Sequence, residues 1–189
     1  MNESVKFSRE LVLDYLSKAK PLTGQDLSLT GQDLSNLDLS NLDFSHIVLR
    51  SVNFSYSNLQ NSIFVSSDLS RAYMRGANLN SCDFRKSNLF RTNLTVTEMK
   101  NANLSHANLQ GANLSGAASN SGQSTSRVIG ANLQGAVARY ANFERAIMER
   151  VNLNNTDLRG ANFFETNMTR VSLQGSKYDI DAFDKSINV

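Results

Sequence analysis

The sequence predicts a solenoid, a single domain of stacked short repeats, in a chain of 189 residues. Every fifth residue from Leu29 to Leu114 is Leu, Phe or Met, without exception. The residue two places earlier is usually small, and the residue between the two is mostly Asn or Asp. An α-helix buries residues three and four apart and a strand alternates at two, so neither explains a period of five. A fixed short period is instead typical of stacked repeats.

The repeat occupies two runs of the chain. The central residues of the first run are Leu29, Leu34, Leu39, Phe44, Leu49, Phe54, Leu59, Phe64, Leu69, Met74, Leu79, Phe84, Leu89, Leu94, Met99, Leu104, Leu109 and Leu114. After an interruption the pattern resumes one residue out of phase, at Val128, Leu133, Ala138, Phe143, Met148, Leu153, Leu158, Phe163, Met168, Leu173 and Tyr178.

The units ANLNS, ANLSH, ANLQG, ANLSG, ANFER and TDLRG resemble the A-(D/N)-L-x-x unit of the pentapeptide-repeat proteins. The resemblance covers about four fifths of the chain and implies an all-β fold, a right-handed quadrilateral parallel β-helix with four pentapeptides in each coil. The central and small residues would point inward, and Asn or Asp would hydrogen-bond to its own turn. About 29 pentapeptides give roughly seven coils, and a rod on the order of 35 Å long at ordinary strand spacing.

A coil of twenty residues also predicts which central residues stack on one another. We expect the interruption to replace one coil and to be a single residue short, so that six phenylalanines form one inward core ladder. Stacked rings at strand spacing would be favourable. The members of this ladder are Phe44, Phe64, Phe84, Phe143, Phe163 and Phe183.

Residues 1–21 predict an amphipathic α-helix that caps the N-terminal end of the rod. Ser8 is a suitable N-cap and Pro21 ends the segment. One helical face carries Phe7, Leu11, Val12, Tyr15, Leu16 and Ala19. An uncapped solenoid exposes its core and unpaired strand edges, so a cap is physically required. Partner docking and membrane contact are the alternatives for this helix.

The repeat rod is predicted over residues 22–178, and residues 179–189 form a C-terminal cap or tail. The interruption at 115–127 reads SGAASNSGQSTSR, which is small and polar and predicts a projecting loop. Its candidate recognition residues are Ser119, Asn120, Gln123 and Arg127. Specific recognition and a merely tolerated insertion are both compatible with this composition.

Bases and acids occupy different positions of the repeat. Asp stands mainly in the Asn/Asp position, whereas Lys and Arg stand at outward positions. From Phe44 to Tyr178 there are fourteen bases and seven acids. The bases form two candidate partner-binding stripes: Arg50, Arg71, Arg91, Arg150 and Arg170 in one, and Lys100, Arg139 and Arg159 in the other. They either bind an anionic partner or keep a long β surface soluble.

Catalytic chemistry is not predicted, and neither is a cofactor or metal. His46 and His106 are the only histidines, and they fall three coils apart, about 14 Å at strand spacing. Cys82 falls at a small inward position and is interpreted as part of the core. The chain also lacks a phosphate-binding glycine loop and a nucleophile elbow.

The sequence shows no signal peptide and no apolar stretch long enough to span a membrane, so we expect a cytoplasmic protein. Export as an effector by a dedicated secretion machine would leave no such mark and stays open.

These observations predict a non-enzymatic scaffold or adaptor that binds a protein partner. The resemblance implies an alternative, the binding and protection of DNA gyrase or topoisomerase IV against quinolones or toxins. Members with that role resemble duplex DNA in negative charge, whereas this shaft carries excess bases. An anionic surface and a homodimer through the C-terminal end are further candidate partners.

Overall fold

Each turn of the chain lies on the preceding turn, and bridged residues are twenty positions apart within each of the two runs of repeats. The computed structural model describes residues 7–18, 28–116 and 130–187. Its bridges are parallel and join residues such as Ser28 with Val48, and Val48 with Asp68. The result is the predicted right-handed quadrilateral β-helix, with seven coils. In the described residues every β-bridge is isolated rather than part of a longer strand, and the one α-helix is α1 (Arg9–Lys18).

The five-residue unit forms one side and one corner of the square. A central residue donates its backbone N–H to the coil above, as from Leu49 to the carbonyl of Asp68 at 2.7 Å. The corner closes when the residue three places on, here Val52, donates its backbone N–H to the carbonyl of the central residue Leu49 at 3.2 Å. Central side chains from Leu29 to Met168 are buried in the described coils. Inward Ser and Thr hydroxyls donate to central carbonyls, as from Ser57 to Leu34 at 2.7 Å.

The Asn/Asp position stabilises the corner that follows it. The Asn53 side-chain oxygen accepts the backbone N–H of Ser55 at 3.1 Å, and the Asp68 carboxylate accepts the backbone N–H of Ser70 at 3.0 Å. The second corner residue has a left-handed backbone, as at Asn36 with a φ of 58°. Asn and Gly adopt this conformation with little strain, which explains their frequency at this position.

The four sides of the square are named faces 1 to 4, and each is defined by its central residues. Face 1 contains Leu29, Leu49, Leu69, Leu89, Leu109, Phe143 and Phe163. Face 2 contains Leu34, Phe54, Met74, Leu94, Leu114, Met148 and Met168. Face 3 contains Leu39, Leu59, Leu79, Met99, Leu133, Leu153 and Leu173. Face 4 contains Phe44, Phe64, Phe84, Leu104, Ala138, Leu158 and Tyr178. Corners 1 to 4 each follow the face of the same number.

The interruption adds residues at corner 2 and does not replace a coil. Across it, bridged residues such as Glu98 and Asn132 are 34 positions apart instead of 20, so fourteen residues are inserted. The corner still closes, because Ala131 donates its backbone N–H to the Leu114 carbonyl at 2.9 Å. Ser115 still donates its backbone N–H to the Asn113 side-chain oxygen at 3.0 Å, as in the other repeats. The rest of the predicted loop, with all four candidate recognition residues, lies outside the described residues.

The predicted single ladder of phenylalanines is wrong. Face 4 stacks Phe44, Phe64 and Phe84 at centroid distances of 5.1 and 4.9 Å, and then continues as Leu104 and Ala138. A second stack lies on face 1, where Phe143 and Phe163 are 5.2 Å apart. Phe183 is only partly buried and is tilted by 56° against Phe163. The reason is the length of the insertion, which places Phe143 above Leu109 on face 1.

Helix α1 covers the N-terminal end of the rod, as predicted. The Ser8 hydroxyl accepts the backbone N–H of Leu11 at 3.3 Å, and Val12 is fully buried. The Tyr15 hydroxyl donates to the Ser28 carbonyl at 2.7 Å, and the Arg9 guanidinium donates to the Asp38 carbonyl at 2.7 Å. These contacts attach α1 to faces 1 and 3 of the first coil.

The C-terminal segment turns back over part of the last coil. Ile187 bridges to Asn167, and Phe183 packs on Phe163, so faces 1 and 2 are covered. On faces 3 and 4, Leu173 is half-buried and Tyr178 is 45% exposed. The described residues therefore leave some apolar surface at this end of the rod.

Candidate interaction surface

The corners carry most of the basic side chains, but the two predicted stripes are each divided. Arg71 and Arg91 lie one coil apart at corner 1, whereas Arg150 and Arg170 lie at corner 2. Arg139 and Arg159 lie one coil apart at corner 4, and Lys100 lies at corner 3. The stripes were wrong for the same reason as the phenylalanine ladder, because the insertion moves every later residue to a different face. Arg50 lies at corner 1, one coil before Arg71.

Several corner bases are neutralised by carboxylates of their own or a neighbouring coil. The pairs are Arg50 with Asp68, Arg85 with Asp83, Lys100 with Glu98, Arg145 with Glu144 and Glu165, Arg150 with Glu149, and Arg159 with Asp157. The Arg159 side-chain hydrogen bond holds the pKa of Asp157 at about 2, below its usual 3.8. Exposed pairs of this kind contribute about 1 kcal/mol or less to stability.

In the described coils, five corner bases have no carboxylate within 4.0 Å and no side-chain hydrogen bond. They are Arg71, Lys86, Arg91, Arg139 and Arg170. Arg71, Lys86, Arg91 and Arg170 are exposed, and Arg139 is half-buried. Their charges are therefore available to a ligand without breaking an internal ion pair.

Two of these arginines are held on aromatic rings. The Arg91 guanidinium lies 5.1 Å from the centroid of the Phe90 ring, and that of Arg139 lies 5.6 Å from the Tyr140 ring. The Arg139 Nε atom is buried and makes no hydrogen bond. Such contacts orient a guanidinium while leaving its terminal donors unused.

Two tyrosines pack against glycines of the next coil. At corner 4, Tyr140 lies against Gly160, where a Cβ atom would overlap the ring. At corner 2, Tyr56 lies against Gly76, where a Cβ atom would come within 2.7 Å of the ring. Arg75 donates from Nε to the Tyr56 hydroxyl at 3.0 Å. Both tyrosines are more than half exposed, so each corner presents a positioned ring.

Sequence reasoning missed these tyrosine sites. The signal is a tyrosine at the second corner position, followed twenty residues later by Arg-Gly, as in Tyr56 with Arg75 and Gly76. Tyr140 also stacks on His106 across the insertion, at 5.1 Å between ring centroids and 19° between planes. That contact could be found only after the fourteen-residue insertion was placed.

A column of asparagines runs along the outside of face 1. Asn108 donates to Asn88 at 3.2 Å, Asn142 to Asn108 at 3.4 Å, and Asn162 to Asn142 at 3.0 Å. The Asn88 amide donates to the Asp68 carboxylate at 3.1 Å. At Asn88 and Asn108, face 1 between corners 4 and 1 is therefore a regular, uncharged amide surface with bases at its edges.

Cys82 is buried at the inward position assigned from sequence, and its thiol donates to the Leu59 carbonyl at 2.9 Å. Burial raises the pKa of this thiol to about 12. His46 and His106 lie three coils apart at corner 4. The described part of the chain brings no three His, Cys, Asp or Glu side chains together in a group that could hold a metal ion.

The helix in the described ranges is too short and too polar to cross a membrane.

Comparison with solved structures finds several repeat proteins. A trypsin-treated variant of QnrB1, a plasmid-mediated fluoroquinolone resistance protein, is 22% identical, with 82% of this chain and 91% of that chain covered and a TM-score of 0.46. HetL, a pentapeptide-repeat protein involved in heterocyst differentiation regulation in the cyanobacterium Nostoc, is 20% identical, with 97% and 98% covered and a TM-score of 0.26. Rfr23 from the cyanobacterium Cyanothece is 20% identical, with 94% and 99% covered and a TM-score of 0.32.

A search of curated proteins gives no match. The family model described as pentapeptide repeats matches eight copies, over residues 28–64, 67–104, 97–118, 129–163 and 146–177. These matches span most of the chain and coincide with the coils of the β-helix. The chain therefore belongs to the pentapeptide-repeat family.

Proposed function

We propose that this protein is a non-enzymatic scaffold that binds a protein partner through side chains at the corners of its rod. The observation that carries the proposal is the pair of exposed, positioned tyrosines, Tyr56 and Tyr140. Each lies on a glycine and has an arginine beside it, Arg75 and Arg139 respectively.

Tyr and Arg are the residue types that most often dominate the energetics of protein interfaces. Binding normally costs the entropy of immobilising such side chains, and positioning them in advance reduces this cost. The ring of Tyr140 is held between His106 and Gly160, and that of Tyr56 is held by Gly76 and Arg75. Both rings are therefore suited to contact a partner with little further ordering.

The two tyrosines lie at opposite corners of the square. Tyr56 is at corner 2 in the second coil and Tyr140 is at corner 4 in the fifth, about 14 Å further along the axis. A partner that covers one corner leaves the other accessible. This placement supports an adaptor that holds two protein surfaces at a fixed distance.

Protection of DNA gyrase or topoisomerase IV by imitation of duplex DNA is less well supported. A mimic needs outward carboxylates, because DNA presents one negative charge in about 1.7 Å of helix axis. The described corners carry unpaired bases such as Arg71 and Arg91 instead. Topoisomerase binding would then have to use tyrosine contacts or the insertion, and not charge mimicry.

A homodimer through the C-terminal end is compatible with this proposal. Leu173 and Tyr178 leave apolar surface on faces 3 and 4 of the last coil. Two rods joined there would present twice the number of corner sites. Light scattering of the purified protein, compared with a Tyr178→Asp variant, would measure this association.

The test of the scaffold function uses substitutions that keep the backbone. Tyr56→Asn and Tyr140→Asn remove the rings, and Asn suits the left-handed backbone at both positions, φ 61° and 57°. Ser66→Asn at corner 4, φ 57°, is the matched control. A partner should first be isolated from the source cell with the full chain and then purified for binding by calorimetry.

We expect a stoichiometric complex that at least one tyrosine variant weakens by about tenfold or more, the effect of losing an interface hot spot. The Ser66→Asn protein should bind as the parent does. The proposal fails if no purified protein binds stoichiometrically, or if both tyrosine variants retain the parent affinity.

A further inference from the structure

We infer that the middle of face 1, with the bases at its two edges, docks an acidic segment of the protein partner. This inference rests on the proposed scaffold function and names the chemistry of one contact. The surface is called the face 1 patch, and it is formed by Arg71, Lys86, Arg91, Arg139, Asn88 and Asn108.

The bases of the face 1 patch lie on both sides of one amide column. Along a single coil, Lys86 at corner 4 and Arg91 at corner 1 flank Asn88. Arg71 lies one coil before Arg91, and Arg139 follows at corner 4 two coils beyond Lys86. The patch therefore extends along the rod axis for about 14 Å at strand spacing.

Carboxylates near the face 1 patch are already occupied by other bases. Asp68 pairs with Arg50 at 2.6 Å, Asp83 with Arg85 at 2.7 Å, and Asp157 with Arg159 at 2.6 Å. In the described coils, none of the four bases of the patch has a carboxylate within 4.0 Å. Their summed charge would attract an anionic segment and orient its approach.

The asparagine column adds hydrogen-bond donors and hardly any acceptors. The Asn88 side-chain oxygen accepts both the Phe90 backbone N–H at 3.2 Å and the side-chain amide N–H of Asn108 at 3.2 Å. The Asn108 carbonyl likewise accepts the Gln110 N–H and the Asn142 amide. Each carbonyl thus has both lone pairs occupied, while each side-chain amide keeps a second N–H free. An acceptor-rich ligand, such as a segment of carboxylates, matches this surface.

Arg71 and Arg91 lower the stability of the free protein. Arg71 and Arg91 are like charges on consecutive coils, and both have left-handed backbones, with φ of 60° and 54°. Asn and Gly, as at Asn36 and Gly31, occupy the same corner position with less strain. A bound anion would offset the repulsion between the two guanidinium groups.

Two features favour an acidic protein segment over nucleic acid. Single strands bind through aromatic rings with free faces, whereas Arg91 lies on Phe90 and His106 lies on Tyr140. The patch also has only four unpaired bases, fewer than the roughly six to ten phosphate contacts that give tight binding to duplex DNA.

The experiment measures binding of a fluorescein-labelled peptide of alternating Asp and Glu, long enough to span three coils. Fluorescence anisotropy with the full chain should show binding that weakens as salt is added. Arg71→Asn with Arg91→Asn should weaken it about tenfold, because two charge-assisted contacts are lost. The control is Arg150→Asn with Arg170→Asn, which makes the same change of charge at the left-handed position of corner 2.

We expect this control to change the peptide affinity by less than about twofold. This change corresponds to about 0.4 kcal/mol, which is the error of such assays. Oligothymidine of equal length and phosphatidylserine vesicles are the competing probes. The inference is overturned if the peptide does not bind, if both double variants weaken binding equally, or if either competing probe binds more tightly.

The purified partner separates failure of this inference from failure of the scaffold function. A partner that loses affinity with Tyr140→Asn but not with the Arg71 and Arg91 variants would leave the scaffold function intact and remove the acidic contact. Absence of any partner, with peptide binding retained, would remove the scaffold function and leave only the affinity of the face 1 patch for an acidic peptide.

Discussion

At the scale of single residues, position in the five-residue unit determines the environment of each side chain. Phe84 at a central position is buried and stacks on Phe64 at 4.9 Å. Its neighbour Arg85, one residue later, is exposed and pairs with Asp83. The central side chain points into the rod and the side chain of the next residue points into solvent, so these two adjacent residues differ in burial.

Replacing Phe84 by Ala should lower the free energy of unfolding by about 3 to 5 kcal/mol, because a buried ring is lost and a cavity remains. Arg85→Ala should cost about 1 kcal/mol or less, as expected for an exposed ion pair. Urea denaturation followed by circular dichroism measures both values. Similar losses for the two variants would contradict the assignment of inside and outside.

Asp157 offers a residue-scale test by pH. The Arg159 side-chain hydrogen bond lowers the pKa of this carboxyl to about 2. A lowered pKa contributes stability that is present above the ordinary value of 3.8 and is lost as the pH falls towards 2. In Arg159→Gln the pKa of Asp157 should rise towards 3.8, as measured by NMR titration. An unchanged pKa would show that this hydrogen bond is not its cause.

At the scale of the structural element, corners combine a strained backbone with close packing between coils. Gly160 has a φ of +72° and supports the ring of Tyr140, whereas a Cβ atom added at Gly31, φ +70°, would have no other atom within 4 Å. Gly160 is therefore required both by the left-handed backbone and by the contact with Tyr140, whereas Gly31 is required by the left-handed backbone alone. This pair of glycines allows backbone strain to be separated from steric overlap.

Gly31→Ala should destabilise the fold by about 1 to 2 kcal/mol through the left-handed backbone alone. Gly160→Ala should cost more, because its Cβ also displaces Tyr140. Combining Gly160→Ala with Tyr140→Gly, which leaves no side chain at position 140, should bring the cost back to that of Gly31→Ala, which a double-mutant cycle measures. Strictly additive effects of the two substitutions would mean that ring and glycine do not interact.

At the scale of the whole molecule, the insertion determines which corners carry which residues. The sequence was sufficient for the repeat, the N-terminal cap and the inward position of residues such as Cys82, because each depends on local periodicity. The β-helix followed from the resemblance of the repeat units to the pentapeptide-repeat family. The sequence was not sufficient for stacking beyond Leu114. The five-residue period of the second run shows which position each residue occupies within its repeat unit, but not on which of the four faces that unit lies. Insertions that differ in length by five residues give the same period, so the sequence could not distinguish between them. Tyr140 on Gly160 was accessible from sequence, whereas His106 on Tyr140 was not.

Deleting residues 117–130, fourteen in all, should leave a continuous rod. Gly116 would then precede Ala131, giving the regular unit Ser-Gly-Ala-Asn-Leu that ends at Leu133. The deleted protein should keep the parent β-type circular dichroism and unfold cooperatively, since repeats contribute through their nearest neighbours. A matched deletion of 117–131 removes one residue more and should disrupt the second run. Equal stability of the two proteins would contradict the fourteen-residue insertion.

The arrangement of every later corner depends on which residue Asn142 stacks on. The bridge between Asn108 and Asn142 places their Cα atoms about 4.8 Å apart, within the range that a disulfide spans. In a Cys82→Ala background, Asn108→Cys with Asn142→Cys should form a disulfide under mild oxidation, detected by mass spectrometry of the intact monomer. Asn113→Cys with Asn132→Cys, which would face each other if all six phenylalanines formed one ladder, lie on adjacent faces of the rod and should remain reduced. A disulfide in the second protein and none in the first would contradict the structure of the rod and both surfaces derived from it.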